Sequence, residues 1–134
     1  MRNFVFFKNM LGQKKQCKFH KIEKKLDMHC FKLRHNLKED LFSLYKHNIQ
    51  NKNCFTIGGD HSLSIATLSS SIYKHGNDIK VLWFDAHPDI NTRLSSFTSN
   101  YHGMPLGFLT KLDNRKFKFQ IPRLQFKNIL YAVK

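Results

Sequence analysis

Ile79-Lys80-Val81-Leu82-Trp83-Phe84 runs directly into Asp85-Ala86-His87-Pro88-Asp89. The first six residues are apolar apart from Lys80, follow the stop signal Gly76-Asn77, and read as a strand. A strand apolar on both faces is the pattern of the middle of a parallel sheet. Side chains alternate along extended backbone, so positions 85, 87 and 89 are expected on one side, where the strand ends. In open α/β sheets ligands bind beyond the carboxyl ends of strands. Two carboxylates and an imidazole gathered there suit a divalent cation that takes O and N donors, such as Mn(II) or Mg(II), and no thiolate is nearby to argue for structural zinc.

Working upstream, Cys54-Phe55-Thr56-Ile57 reads as a second strand that ends at Gly58-Gly59, followed by Asp60-His61-Ser62. If the two strands are neighbours, His61 sits at the same edge as Asp85, His87 and Asp89. Taken singly, Asp60 and Asp85 are ordinary turn or N-cap residues and the histidines are incidental; together, at two strand ends, they form a candidate site. Ser62 opens a helical stretch with Ile65, Leu68 and Ile72 on one face, ended by Gly76-Asn77. Asn36 followed by Glu39 is a capping-box pattern, and Leu37, Leu41 and Leu44 continue it as one helical stripe that fades near Gln50. Phe4 to Phe7 suits a strand, whereas Lys14 to Leu33 has weak periodicity and reads as helix or coil. Downstream, Pro88 to Tyr101 is polar, Met104 to Leu112 suits a short helix, and Asn128 to Val133 a further strand. Helices and strands alternate, which argues for a parallel α/β sheet with right-handed crossovers.

The chain has 134 residues, enough for one domain, and 41% hydrophobic residues, too many for a disordered chain. We divide it into a poorly defined basic segment, 1–35, and a motif-bearing α/β part, 36–134. The net charge of +14 is carried by the flanks: residues 1–50 hold +8 and residues 101–134 hold +6, while 51–100 are neutral. A basic flank can serve phosphate backbones or anionic membranes. Lys, Asn and Phe, however, supply 42 residues, and all three have A/T-rich codons, so base composition alone is enough to produce such a bias. No recognition-helix or aromatic-interleaved pattern supports nucleic acid as a partner. Apolar runs such as Phe4 to Phe7 fall far short of the roughly 20 residues of a membrane span, and the N-terminus has no secretory pattern. Three widely spaced cysteines, Cys17, Cys30 and Cys54, fit a reduced, cytoplasmic setting. Cys17, His20, His29 and Cys30 match no zinc-finger spacing.

Three motifs in order, G-G-D-H-S at 58–62, D-A-H-P-D-I-N-T at 85–92 and N-Y-H-G-M-P at 100–105, resemble the ureohydrolase family and within it the arginases. Agmatinases are similar in the first two. The resemblance covers about residues 36–112 and implies a three-layer α-β-α fold, here incomplete, and a site for two Mn2+ ions. By position, His61 resembles the family histidine on the first ion and Asp85 the carboxylate bridging both. His87 resembles the histidine on the second ion and lies beside the substrate, and Asp89 resembles a further ligand of the first. His102 resembles the histidine that shuttles protons. Asn91, Thr98 and Asn100 match positions that contact the amino-acid end of arginine. Thr98 stands where the family has Ser, and Arg93 where it usually has Pro, which sets a cation beside a site for a cationic substrate.

The resemblance implies metal-assisted hydrolysis of L-arginine, or a similar guanidino compound, to L-ornithine and urea. It leaves room for a homo-oligomer of the full-length form. The family also uses a later Asp-x-Asp pair and a Glu, whereas the only acid after residue 89 is Asp113. The chain is therefore expected to be a piece of a longer enzyme and inactive alone. The alternatives are an agmatinase-like ureohydrolase, or a small basic, non-catalytic binding protein on a relic scaffold.

Overall fold

The computed structural model describes residues 4–6, 29–30 and 36–132. Its first sheet is parallel: β1 (Phe4–Phe6) lies between β2 (His29–Cys30) and β3 (Phe55–Ile57). Helix α1 (Leu37–Gln50) opens as its sequence predicts, with the Asn36 carbonyl oxygen of the side chain accepting hydrogen bonds from the backbone N–H of Lys38 and Glu39 at 3.1 and 3.4 Å. The Glu39 carboxylate does not complete a capping box but turns to Lys118. Helix α2 (Leu63–His75) follows β3 and ends at Gly76, whose φ of 70° is left-handed backbone that glycine adopts without penalty. Strand β4 (Val81–Phe84), the short helix α3 (Pro105–Leu109) and β5 (Ile129–Ala132) complete the order. β4 and β5 pair in parallel, Val81 against Ile129 through Phe84 against Ala132.

The core lies among the helices and one face of β4. Leu41 and Leu44 of α1, Ile65 and Ala66 of α2, and Leu106 and Leu109 of α3 are fully buried. Leu41 and Leu44, and Ile65 with Ile72, belong to the stripes read from the sequence, and Leu37 and Leu68 pack against them partly buried. Phe119, Ile121 and Leu124 close the core from the loop after α3, with Tyr45 stacked on Phe119 at 4.4 Å between ring centroids.

Four expectations need correction. His29–Cys30 is a strand, not helix or coil; the rest of the stretch from Lys14 to Leu33 lies outside the described residues, as do Phe7 and Val133. Helix α3 stops at Leu109 rather than Leu112, because Lys111 takes a φ of 68°. Among the described residues, β3 and β4 are not paired; β3 joins β1 and β4 joins β5. β4 is also not covered on both faces. Val81 and Trp83 are buried, whereas Leu82 and Phe84 are 55% and 72% exposed beside Leu130 at 67%.

What positions the loop after β4 is its contact with α3. The Leu106 N–H donates to the Asp89 carbonyl at 3.0 Å, and the Asn91 N–H to the Gly103 carbonyl at 3.1 Å. Gly107 sits so close that a Cβ there would lie 2.3 Å from the Asn91 carbonyl oxygen. Asp113, buried, accepts from the Arg93 backbone N–H at 2.8 Å and from the Arg115 guanidinium at 3.0 and 3.1 Å, fixing the next turn of the loop.

Gly107→Ala therefore forces loop and helix apart. We expect a loss of about 1–3 kcal/mol of stability, the usual scale for overpacking, seen as a lower midpoint in denaturant unfolding. An unchanged midpoint would contradict the close contact.

Candidate metal centre

Two chain reversals build the centre. After β3, Asp60 accepts hydrogen bonds from the Ser62 N–H at 2.9 Å and its hydroxyl at 2.5 Å, turning the chain into α2. Asp60 is thus a turn residue, and His61 is left at the mouth. After β4, the Asp85 carboxylate accepts from the His87 N–H at 3.0 Å with one oxygen. Its other oxygen lies 2.7 Å from His61 Nδ1. Asp89 reaches the same nitrogen at 2.7 Å. It does so from a left-handed backbone, φ 44°, which Asp tolerates better than most residues. Asp85 and Asp89 thus converge because the chain turns, not because a strand continues through residue 89.

His61 Nδ1 and one oxygen each from Asp85 and Asp89 lie within 4.8 Å of one another. A single imidazole nitrogen cannot satisfy two carboxylates, and two carboxylates this close repel unless a positive charge lies between them. One N and two O donors in a partly buried pocket are a chemically suitable set for a hard or borderline divalent ion. His87 stands at the rim, its Nδ1 3.5 Å from Asp85 and its side chain 80% exposed, so it is not drawn into that tight group. A cleft of about 390 Å³ brings His61, Asp85, His87, Asp89 and His102 together. His102 comes from the Tyr101–Gly103 turn, and its Nδ1 is buried with no hydrogen-bond partner among the described residues.

Electrostatics follow from these contacts. The Asp89 hydrogen bond raises the His61 pKa; burial opposes it, and the charges of Asp89, Asp85 and Asp60 add to the rise. The His87 backbone N–H holds Asp85 below the usual carboxylate value, against burial, with His61 and His87 assisting.

Asn91, Thr98 and Asn100 lie on the exposed loop and outside the wall of the cleft. Asn91 accepts from the Ser95 hydroxyl at 3.3 Å, and the Thr98 hydroxyl from the Asn100 N–H at 3.4 Å. Sequence reasoning missed two residues that touch the centre from below. Trp83 packs its ring against His61, with centroids 4.5 Å apart at 31°. The Tyr131 hydroxyl donates to the Pro88 carbonyl at 2.8 Å. Burial, then the Asp89 charge, raises the Tyr131 pKa above its ordinary value. Only the β4–β5 register brings Tyr131 here, and no local motif carries that information.

The Arginase family model matches residues 7–122. Mitochondrial arginase-2 of Rattus norvegicus is 46% identical over 71 residues, which is 53% of this chain and 19% of that protein. Arginase-1 of Xenopus laevis is 43% identical over 86 residues, 60% of this chain and 27% of that protein. The fold matches the crystal structure of arginase from Bacillus subtilis with a TM-score of 0.76 and 23% identity, covering 96% of this chain and 54% of that one. It also matches the Entamoeba histolytica arginase in complex with L-ornithine, TM-score 0.75 and 23% identity, covering 96% and 56%. The chain thus spans about half the length of those solved structures, and its match a far smaller share of the curated relatives.

In the metal-free chain, His61 should titrate above its ordinary 6.5. A raised folded-state pKa means that its stabilising contribution is full below the unfolded value and fades as pH rises through the folded one. Imidazole NMR titration checks this, with Asp89→Asn bringing the value down. A wild-type value at or below 6.5 would contradict the contact.

Proposed function

The chain belongs to the arginase family, and from that premise we propose that it carries part of a two-manganese site for hydrolysing the guanidinium group of L-arginine to L-ornithine and urea. The observation that supports this most is the convergence of His61 Nδ1 with Asp85 and Asp89 within 4.8 Å at one end of β4.

In this reading His61, Asp85 and Asp89 would hold one Mn2+, and Asp85 and His87 would help to hold a second. When bound, such ions supply Lewis-acid activation, lowering the pKa of water toward neutrality. Overall, water adds to the guanidinium carbon, the bond from that carbon to the side-chain nitrogen breaks, and a proton moves to the leaving amine. His102 is the group for that proton: its buried Nδ1 faces no protein partner among the described residues, and imidazole exchanges protons near neutral pH. Asn91, Thr98 and Asn100, with His87, meet the amino-acid end of the substrate. For Asn91, Thr98 and Asn100 this needs their loop to fold toward the cleft. The ornithine held by the Entamoeba relative supports arginine over agmatine, since ornithine is the amino-acid product.

The described residues supply three or four donors, whereas hard cations take about six. The chain by itself should bind Mn2+ weakly and orient a guanidinium poorly. Lost positioning is worth several kcal/mol, and each 1.4 kcal/mol is about tenfold in rate. We place the complete protein in a reduced compartment, the cytoplasm on cysteine usage, with mitochondrial relatives offering the other location. Among the described residues no helix is long and apolar enough to cross a membrane. We also propose that 1–134 is one incomplete arginase-like domain, and that the full-length form self-associates.

Calorimetry on the 134-residue chain should show weak Mn2+ binding that Asp85→Ala or Asp89→Ala removes, and urea release from L-arginine far below an enzyme-like rate. No Mn2+ binding by the wild type would defeat the metal reading. Rapid, Mn2+-dependent urea release abolished by Asp85→Ala would show that this donor set suffices.

A further inference from the structure

We propose that Trp83 and Tyr131, cross-strand neighbours on β4 and β5, are positioning residues that hold the ligand set from beneath. This rests on the reading of His61, Asp85 and Asp89 as metal ligands. The two residues face each other in the parallel register, Trp83 against Tyr131, and both point into the protein, while Leu82 and Leu130 point out.

Each acts on a different ligand. Trp83 is 4% exposed and lies under the His61 ring at 4.5 Å. His61 follows Gly58-Gly59-Asp60, its Nδ1 is committed to Asp85 and Asp89, and the Trp83 ring contact restrains the tilt of the imidazole about that nitrogen. The indole nitrogen is buried without a hydrogen-bond partner among the described residues, so the contribution of Trp83 here is packing of its ring. Tyr131 acts on the loop. Pro88 has no N–H, so only its carbonyl can tie this position, and the Tyr131 hydroxyl ties it at 2.8 Å. The next residue is Asp89, in left-handed backbone that persists only where its surroundings hold it. On its other side the Asp89 carbonyl takes the Leu106 N–H. The turn carrying the carboxylate is thus pinned from β5 and from α3.

Partners that orient ligands usually change metal affinity about 10–100-fold when removed. Tyr131→Phe removes only a hydroxyl, and Trp83→Phe keeps an aromatic ring but shortens it. Leu130→Ala, on the opposite face of β5, is the control. Two readouts are taken on the full chain. One is Mn2+ affinity by calorimetry. The other is the His61 imidazole N–H signal of the metal-free chain, sheltered from exchange while Asp89 holds it. We expect Tyr131→Phe and Trp83→Phe each to weaken Mn2+ binding about tenfold and to broaden or lose the imidazole signal, with the Tyr131→Phe unfolding midpoint and both Leu130→Ala readouts unchanged. Should Trp83→Phe fail to fold, Tyr131→Phe decides. Wild-type affinity and signal in Tyr131→Phe, or equal losses in Leu130→Ala, would overturn the proposal. A wild-type chain that shows the imidazole signal but no Mn2+ binding would defeat the metal reading instead, and the imidazole signal in the variants alone would then decide the positioning.

Discussion

The close approach of Gly107 to the Asn91 carbonyl is the constraint on which the rest of the centre depends. Helix α3 can lie against the loop after β4 only because residue 107 has no side chain. That approach lets the Leu106 N–H reach the Asp89 carbonyl and the Gly103 carbonyl reach the Asn91 N–H. With both ends of the turn held, Asp89 keeps its left-handed backbone and its carboxylate stays beside His61. The same contact brings the Tyr101–Gly103 turn, and so His102, to the cleft. Two of the three sequence motifs are in this sense one structure, since N-Y-H-G-M-P is the surface on which D-A-H-P-D-I-N-T folds.

Much of this was legible from the sequence where the information is local. Asn36 capped its helix because a short amide side chain before an apolar stripe has few other uses. Leu41, Leu44, Ile65 and Ile72 were buried because helical period and burial coincide. The candidate ligands His61, Asp85 and Asp89 came together because two short strands end near one another. The reason differed from the one expected: alternation along a strand put Asp85, His87 and Asp89 on one side, but the chain leaves extended geometry at Asp85, and His87 turns outward. The illegible part is long-range. Nothing near Tyr131 says that it meets Pro88, and nothing near Asp113 says that it holds Arg93 and Arg115. Strand pairing was likewise out of reach, because β3 and β4 carry no signal of which neighbour each takes.

The basic character of the chain is partly structural. Lys74 donates to the carbonyls of Asn48, Asn51 and Lys52 and so satisfies the end of α1. Lys80 holds Asn128 at the start of β5, and Lys118 pairs with Glu39. Arg115 pairs with Asp113 and lies 4.8 Å above both the Tyr101 and Phe108 rings. These four cations, at least, have partners within the fold.

The central claim is that the ends of β3 and β4 together form one divalent-metal site. Substoichiometric Mn2+ added to the isotopically labelled chain tests it most directly, because the paramagnetic ion broadens the NMR signals of whatever lies around it. The account predicts that His61, Asp85, Asp89 and His102 broaden first and together. Broadening that begins elsewhere, or that reaches the loop after β4 without His61, would contradict it.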